Sequence, residues 1–191
     1  MALNAYEGSG GDITNIQIDG LFARGCHSAV RLLTVHHRVE HIHISNVFGT
    51  YYQYCIGLTK FYPGETTGYF DAIVLENIHA AKAKRLPIQE AHMRNKNRHY
   101  PFLWVQKNVR VKHLDVSHLH RREENNPIET VCIDENAEVE VLNLQDLSLE
   151  NRTDAPCALF VNNGKIKRLC AWGIPKEELQ NRGVIETLEL H

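Results

Sequence analysis

A chain of 191 residues, 43 % hydrophobic and 23 % charged, has the make-up of one folded domain spanning 1–191. Its net charge of −2 and pI near 6.6 offer no basic face for nucleic acid, and no run approaches the roughly 18 apolar residues that cross a membrane. The five cysteines (Cys26, Cys55, Cys132, Cys157, Cys170) form no CxxC pair, which leaves a zinc knuckle or a dithiol redox motif without support.

In chain order, Leu3-Asn4-Ala5 reads as a short strand with no longer strand ahead of it. Two kinds of apolar run then alternate. The longer kind is apolar at every second position, the signature of a strand with one buried face. It comprises Ile16-Gln17-Ile18-Asp19-Gly20, Val39-Glu40-His41-Ile42-His43-Ile44-Ser45-Asn46-Val47, Ile73-Val74-Leu75-Glu76-Asn77, Val111-Lys112-His113-Leu114-Asp115-Val116-Ser117-His118-Leu119, Leu142-Asn143-Leu144-Gln145-Asp146 and Leu169-Cys170-Ala171. The shorter kind comprises Ala29-Val30-Arg31-Leu32-Leu33, Cys55-Ile56-Gly57-Leu58, Phe102-Leu103-Trp104-Val105, Thr130-Val131-Cys132-Ile133 and Ala158-Leu159-Phe160-Val161. Near the end, Pro175-Lys176-Glu177-Glu178-Leu179-Gln180-Asn181 suits a short turn of helix, and Val184-Ile185-Glu186-Thr187-Leu188-Glu189-Leu190 a last strand.

The anchors Ile16, Ile42, Ile73, Leu114, Leu142 and Leu169 are separated by 26, 31, 41, 28 and 27 residues. Self-similarity at such periods signals stacked repeats. With no helical crossover between the runs, the expected fold is all-β: a right-handed parallel β-helix of about six to seven coils. Gly20, Asn46, Asn77, His118, Asp146 and Gly173 each fall four positions after an anchor. Asn, Asp and Gly tolerate left-handed backbone, so these positions read as corners that stack along the axis. The cysteines read as small buried hydrophobes stacked coil upon coil, reduced and so favouring a cytoplasmic setting. Met1-Ala2-Leu3-Asn4 lacks the basic start and apolar stretch of a secretion signal.

Two insertions, 59–68 and 82–100, and a smaller polar corner, 121–127, interrupt the rhythm. Long polar loops on a rigid scaffold are where binding groups gather, although solvated decoration is the alternative. Tyr51, Tyr52, Tyr54, Phe61, Tyr62, Tyr69 and Tyr100 crowd around the insertions, and aromatic faces pack against the apolar C–H faces of sugar rings. Loop packing explains the same crowding. His41-x-His43 and His118-x-His120 each put two imidazoles on one strand face, short of the three or four ligands a metal site wants. No metal and no cofactor is expected.

From Leu3 to about Tyr62 the chain resembles the central part of the polygalacturonase-type glycoside hydrolases of the pectin lyase-like superfamily. Ala2-Leu3-Asn4-Ala5 resembles the strand that follows an Asp-Asp pair in that family, and Gly25-Cys26-His27-Ser28 stands where the family has Gly-His-Gly. Tyr54-Cys55-Ile56-Gly57-Leu58-Thr59-Lys60 stands where it has Arg-Ile-Lys. The resemblance implies His27 as a catalytic-site residue, with Lys60 as a looser match. Its groove would lie on the short-strand face, with Arg31 contacting an acidic sugar and Tyr52, Phe61 and Tyr62 as walls. Inverting hydrolysis needs an acid and a carboxylate flanking the scissile bond. No Asp-Asp pair occurs here, so hydrolysis would need carboxylates from a longer parent chain.

The expected partner is a polysaccharide or oligosaccharide, bound or, in that longer parent, hydrolysed. The alternative is a non-catalytic β-helix that serves as a binding or assembly module. Solenoid ends need caps, and the first coil shows none, so a second copy of the chain could dock there as a homo-oligomer, or the coils continue upstream.

Overall fold

The computed structural model describes residues 1–5, 10–60, 66–84, 100–125 and 128–191. Short strands β1 (Ala2–Ala5), β3 (Val30–Thr34), β5 (Ile56–Thr59), β7 (Leu103–Val105), β9 (Val131–Ile133), β11 (Phe160–Asn162) and β13 (Leu179–Asn181) alternate along the chain with a longer set. The longer strands are β2 (Ile13–Cys26), β4 (Arg38–Tyr51), β6 (Gly68–Lys82), β8 (Val109–Glu123), β10 (Glu138–Asn151), β12 (Lys165–Trp172) and β14 (Val184–Leu190). Each set forms its own seven-stranded sheet, and within each sheet strands pair in parallel with the next of their kind. The chain is a parallel β-helix. Five strands of each sheet are flanked on both sides, giving about five enclosed turns, slightly fewer than the six to seven coils expected.

Ladder register stacks the anchors. Ile16 pairs with Ile42, Ile42 with Ile73, Ile73 with Leu114, Leu114 with Leu142, and Leu142 with Leu169. Ile42, Ile73, Leu114, Leu142 and Leu169 are buried, because alternation turns every second side chain inward. The short strands supply the facing wall. Val30, Ile56, Leu103, Val131 and Phe160 form one column there, and Leu32, Leu58, Val105 and Ile133 another. The second column ends on buried Asn162, whose Nδ2 donates to Asn181 Oδ1 at 2.8 Å.

The long strands bend where the turn formers fall. Gly20, Asn46, Asn77, His118, Asp146 and Gly173 all have φ between 51° and 72°, the left-handed region. Their side chains bond along the axis: Asp19 Oδ1 accepts from Ser45 Oγ at 2.8 Å and from Asn46 Nδ2 at 2.6 Å, and Asn77 Nδ2 donates to Asn46 Oδ1. A second left-handed row, Asn15, His41 and Ala72, bends only the first three long strands and was not foreseen. Its Ala and His members carry no turn signal in the sequence.

Three other expectations need adjustment. Cys55, Cys132 and Cys170 are buried and Cys157 half-buried, but Cys26 is exposed, because it ends β2 with no coil above it. The helical turn is a single 3₁₀ turn, Lys176–Glu178. The 121–127 corner is not wholly solvated. Arg121 and Glu123 lie at the inward positions that follow Leu119, and both are fully buried. The Arg121 guanidinium donates to Glu123, to Thr130 Oγ1 at 3.1 Å and to the carbonyl of Ile128, and it sits 5.5 Å from the Phe102 ring centre. Burial of this pair is compensated by mutual pairing and by backbone partners. Most of the 82–100 insertion and the centre of the 59–68 insertion lie outside the described residues.

Two stability measurements follow. Arg121→Ala strands the Glu123 charge and should lower unfolding stability by about 3–5 kcal/mol, whereas Arg121→Met with Glu123→Leu should come out near neutral in a urea titration. At the corner, Asn77→Gly should shift the midpoint little, while Asn77→Val should lose about 1–2 kcal/mol from left-handed backbone alone.

Candidate functional site

Three of the residues that the family resemblance singled out, His27, Arg31 and Tyr52, gather about the start of the short strands. His27, between β2 and β3, is exposed, with Nδ1 2.7 Å from Ser28 Oγ and its ring edge-on to Tyr52 at 5.4 Å and Tyr54 at 6.2 Å. Tyr54 covers Gly57, where a Cβ would come within 2.8 Å of the Tyr54 ring. It packs on against Tyr100 and Trp104, and Trp104 Nε1 donates to Asp134 Oδ2 at 2.8 Å. Burial pushes the Tyr54 hydroxyl pKa up, partly offset by its hydrogen bond with Ser28 and the nearby charge of Arg31. Arg31 pairs in register with Gly57.

His27, Arg31 and Tyr52 therefore share one surface. Lys60 does not line it. Lys60 is buried, with its Nζ 3.4 Å from Thr66 Oγ1 and its backbone N–H donating to Gln106 Oε1 at 2.7 Å. Desolvation lowers its pKa, helped by Lys107. Phe61 and Tyr62 lie outside the described residues.

The wider concavity lies on the long-strand sheet, along the outside of the left-handed corner. A groove of about 730 Å³ runs across five coils there, from Asp19 to Ser148. The corner residues Asn46, Asn77, His118 and Asp146 form its floor. One wall is the outward row just before the corner, Asp19, Ser45 and Glu76. The other wall holds His79 and His120, two residues past the corner, which continue an outward row of rings: Phe22 pairs with Phe48, Phe48 with His79, and His79 with His120. Phe48 and His79 stack at 5.9 Å and 22°, His79 and His120 at 5.8 Å and 40°, and His120 Nδ1 lies 2.8 Å from Ser148 Oγ. Phe22 is 74 % exposed and Phe48 37 %. A second groove, about 450 Å³, lies on the far side of the ladder and shares His79 and His120.

Alternation explains the ladder. Leu21, Val47, Ile78, Leu119 and Leu147 turn inward after the corner, so Phe22, Phe48, His79, His120 and Ser148 must turn outward. Each lies six positions after its anchor. That spacing is legible in the sequence only when alternation is followed past the bend; without it Phe22 and Phe48 read as core and His120 as half of the His118-x-His120 pair.

Among the described residues, the corner groove is lined by three carboxylates, Asp19, Glu76 and Asp146, and by no Lys or Arg. Hydrogen bonds from Asn46, then from Ser45, hold the Asp19 carboxyl below the usual range and so ionised. His43 Nε2 lies 3.3 Å from Glu76 Oε2, and His118 Nε2 3.6 Å from Asp146 Oδ2. Among the described residues no group of three or more His, Cys, Asp or Glu side chains is placed to hold a metal ion. Aligned ring faces beside hydroxyl-accepting carboxylates and amides can hold an extended polyol along the axis.

The architecture defines the class, a parallel β-solenoid with ligand-sized grooves on its bent sheet. No family model, curated protein or solved structure matches this chain.

Gly57 offers a direct check on the short-strand face. Gly57→Ala should displace the Tyr54 ring, lower stability by about 1–3 kcal/mol and shift the emission of neighbouring Trp104.

Proposed function

We propose that this protein is a carbohydrate-binding parallel β-helix, with a polysaccharide lying along its axis on the ring ladder of the corner groove. One observation carries the reading: Phe22, Phe48, His79 and His120 lie in register on the solvent side of the sheet, with Phe48 stacked on His79, and the two histidines line a polar groove. Sugar rings present apolar C–H faces to such rings while their hydroxyls reach the carboxylates and amides of the floor. Strands step by roughly 4.8 Å, so each coil offers a fresh set of the same contacts to a repeating polymer. The role is binding; hydrolysis of the polygalacturonase type would draw its catalytic carboxylates from a longer chain. The cluster of His27, Arg31 and Tyr52 on the short-strand face is the site that the family resemblance favours instead, and the two can be told apart.

Phe48→Ala removes a central ring without touching the core. Calorimetric titration with a bound oligosaccharide should show roughly tenfold weaker affinity for Phe48→Ala, since a stacking contact is worth about 1 kcal/mol beyond area. His27→Ala should leave that affinity unchanged. The opposite pattern would move the site to the short-strand face. Sedimentation of the same samples tests the assembly reading, in which a second copy covers the free edges of β1 and β2.

A further inference from the structure

We infer that the corner groove selects an uncharged glycan and discriminates against the acidic polymers that a polygalacturonase-like substrate would supply. This rests on the saccharide reading above and adds the chemical class of the ligand. Charge makes the argument. Asp19 and Glu76 stand on one wall, two strands apart, and Asp146 on the floor two strands further on, so every second turn presents a carboxylate to whatever lies along the axis. Among the described residues no Lys or Arg lines this groove to answer them. Arg24 and Arg122 line the second groove beyond the ring ladder, and Arg122 is paired with Glu124 at 3.1 Å.

The histidines do not reverse the balance at neutral pH. His118 lies against Asp146, His43 against Glu76, and His79 and His120 tilt against each other in the ladder, so each imidazole already has a partner within the protein. A uronate chain would therefore bring a row of carboxylates against a row of carboxylates, and like-charge juxtaposition is how binding surfaces reject the wrong partner. An uncharged chain meets the same oxygens as hydrogen-bond acceptors for its hydroxyls. Arg31, the residue suited to an acidic sugar, lies on the other sheet.

The test uses the whole chain at pH 7.5 with three sets of probes: uncharged oligosaccharides (gluco-, galacto-, manno- and xylo-oligomers), oligogalacturonate and oligoalginate, and a glucosamine oligomer as the cationic probe. At least one uncharged oligomer should bind, lose affinity in Phe48→Ala and bind equally in low and high salt. The uronates should bind at least tenfold more weakly. Glu76→Gln, which keeps an acceptor oxygen and removes the charge, should narrow that gap by improving uronate binding several-fold. Uronate binding as tight as the best uncharged oligomer, and sensitive to Phe48→Ala, would overturn the inference and leave the saccharide reading standing. Preference for the glucosamine oligomer would also overturn it. If no probe of any charge binds, the saccharide reading itself fails and this inference with it.

Discussion

The parallel backbone ladder is the constraint from which the rest of the molecule follows. Each long strand takes its register from the one before it, so a residue at a given place in one coil must lie over its counterpart in the next. Inside the column this stacks aliphatic side chains that each contribute about 1.5–3 kcal/mol by leaving water. The same register also aligns whatever faces outward, with no energetic demand on its identity. Core, corner and groove are three columns of one lattice.

The corner shows how local backbone chemistry shapes a surface. A left-handed residue in every long strand that crosses the bend turns the sheet at one level, and the outside of that turn is the groove. Non-glycine residues reach this conformation reluctantly, and Asn and Asp do so best because their short side chains bond locally. Here those side chains also bond between coils, Asp19 to Asn46 and Asn46 to Asn77, so the bend and the polar floor come from the same atoms. At His118 the turn-forming amide gives way to an imidazole, which faces Asp146 on the next coil. Toward the C-terminal end the floor thus changes from an amide ladder to an imidazole beside a carboxylate, with the same left-handed corner kept.

Alternation and period carried the sequence reading as far as the fold: the anchors, all six corners and the short strands up to β11 lie where the residues placed them, while β13 (Leu179–Asn181) occupies a stretch expected to be helical. They carried it less well wherever inward did not mean apolar. Arg121 and Glu123 continue the inward alternation of Leu119, yet their charge marks them as surface, and only the pairing seen in three dimensions explains their burial. Phe22 and Phe48 present the reverse case, apolar letters on an outward row. Lys60 closes a strand whose four residues are all buried, and the resemblance that suggested it as a groove contact takes no account of that packing. The grouping of His27 with Tyr52, by contrast, follows from coil-on-coil stacking at the start of neighbouring short strands.

The outward ring ladder is also where this sheet departs from a merely stable face, and the proposed function rests on that departure. Cross-strand ring pairs add roughly 0.2–1 kcal/mol each, so stacking gives Phe48 and His79 some structural return. Phe22 gains less, being three-quarters exposed. Elsewhere on the same sheet the outward rows are laced with ion pairs such as Lys112 to Asp71 and Arg110 to Glu138, the usual way a β-surface keeps itself wetted. Replacing that pattern with rings in one register, beside carboxylates that lack cationic partners from Lys or Arg, exposes apolar area and unneutralised charge together. A surface of that kind is matched by a ligand that is apolar on its ring faces, rich in hydroxyls at its edges and without charge of its own.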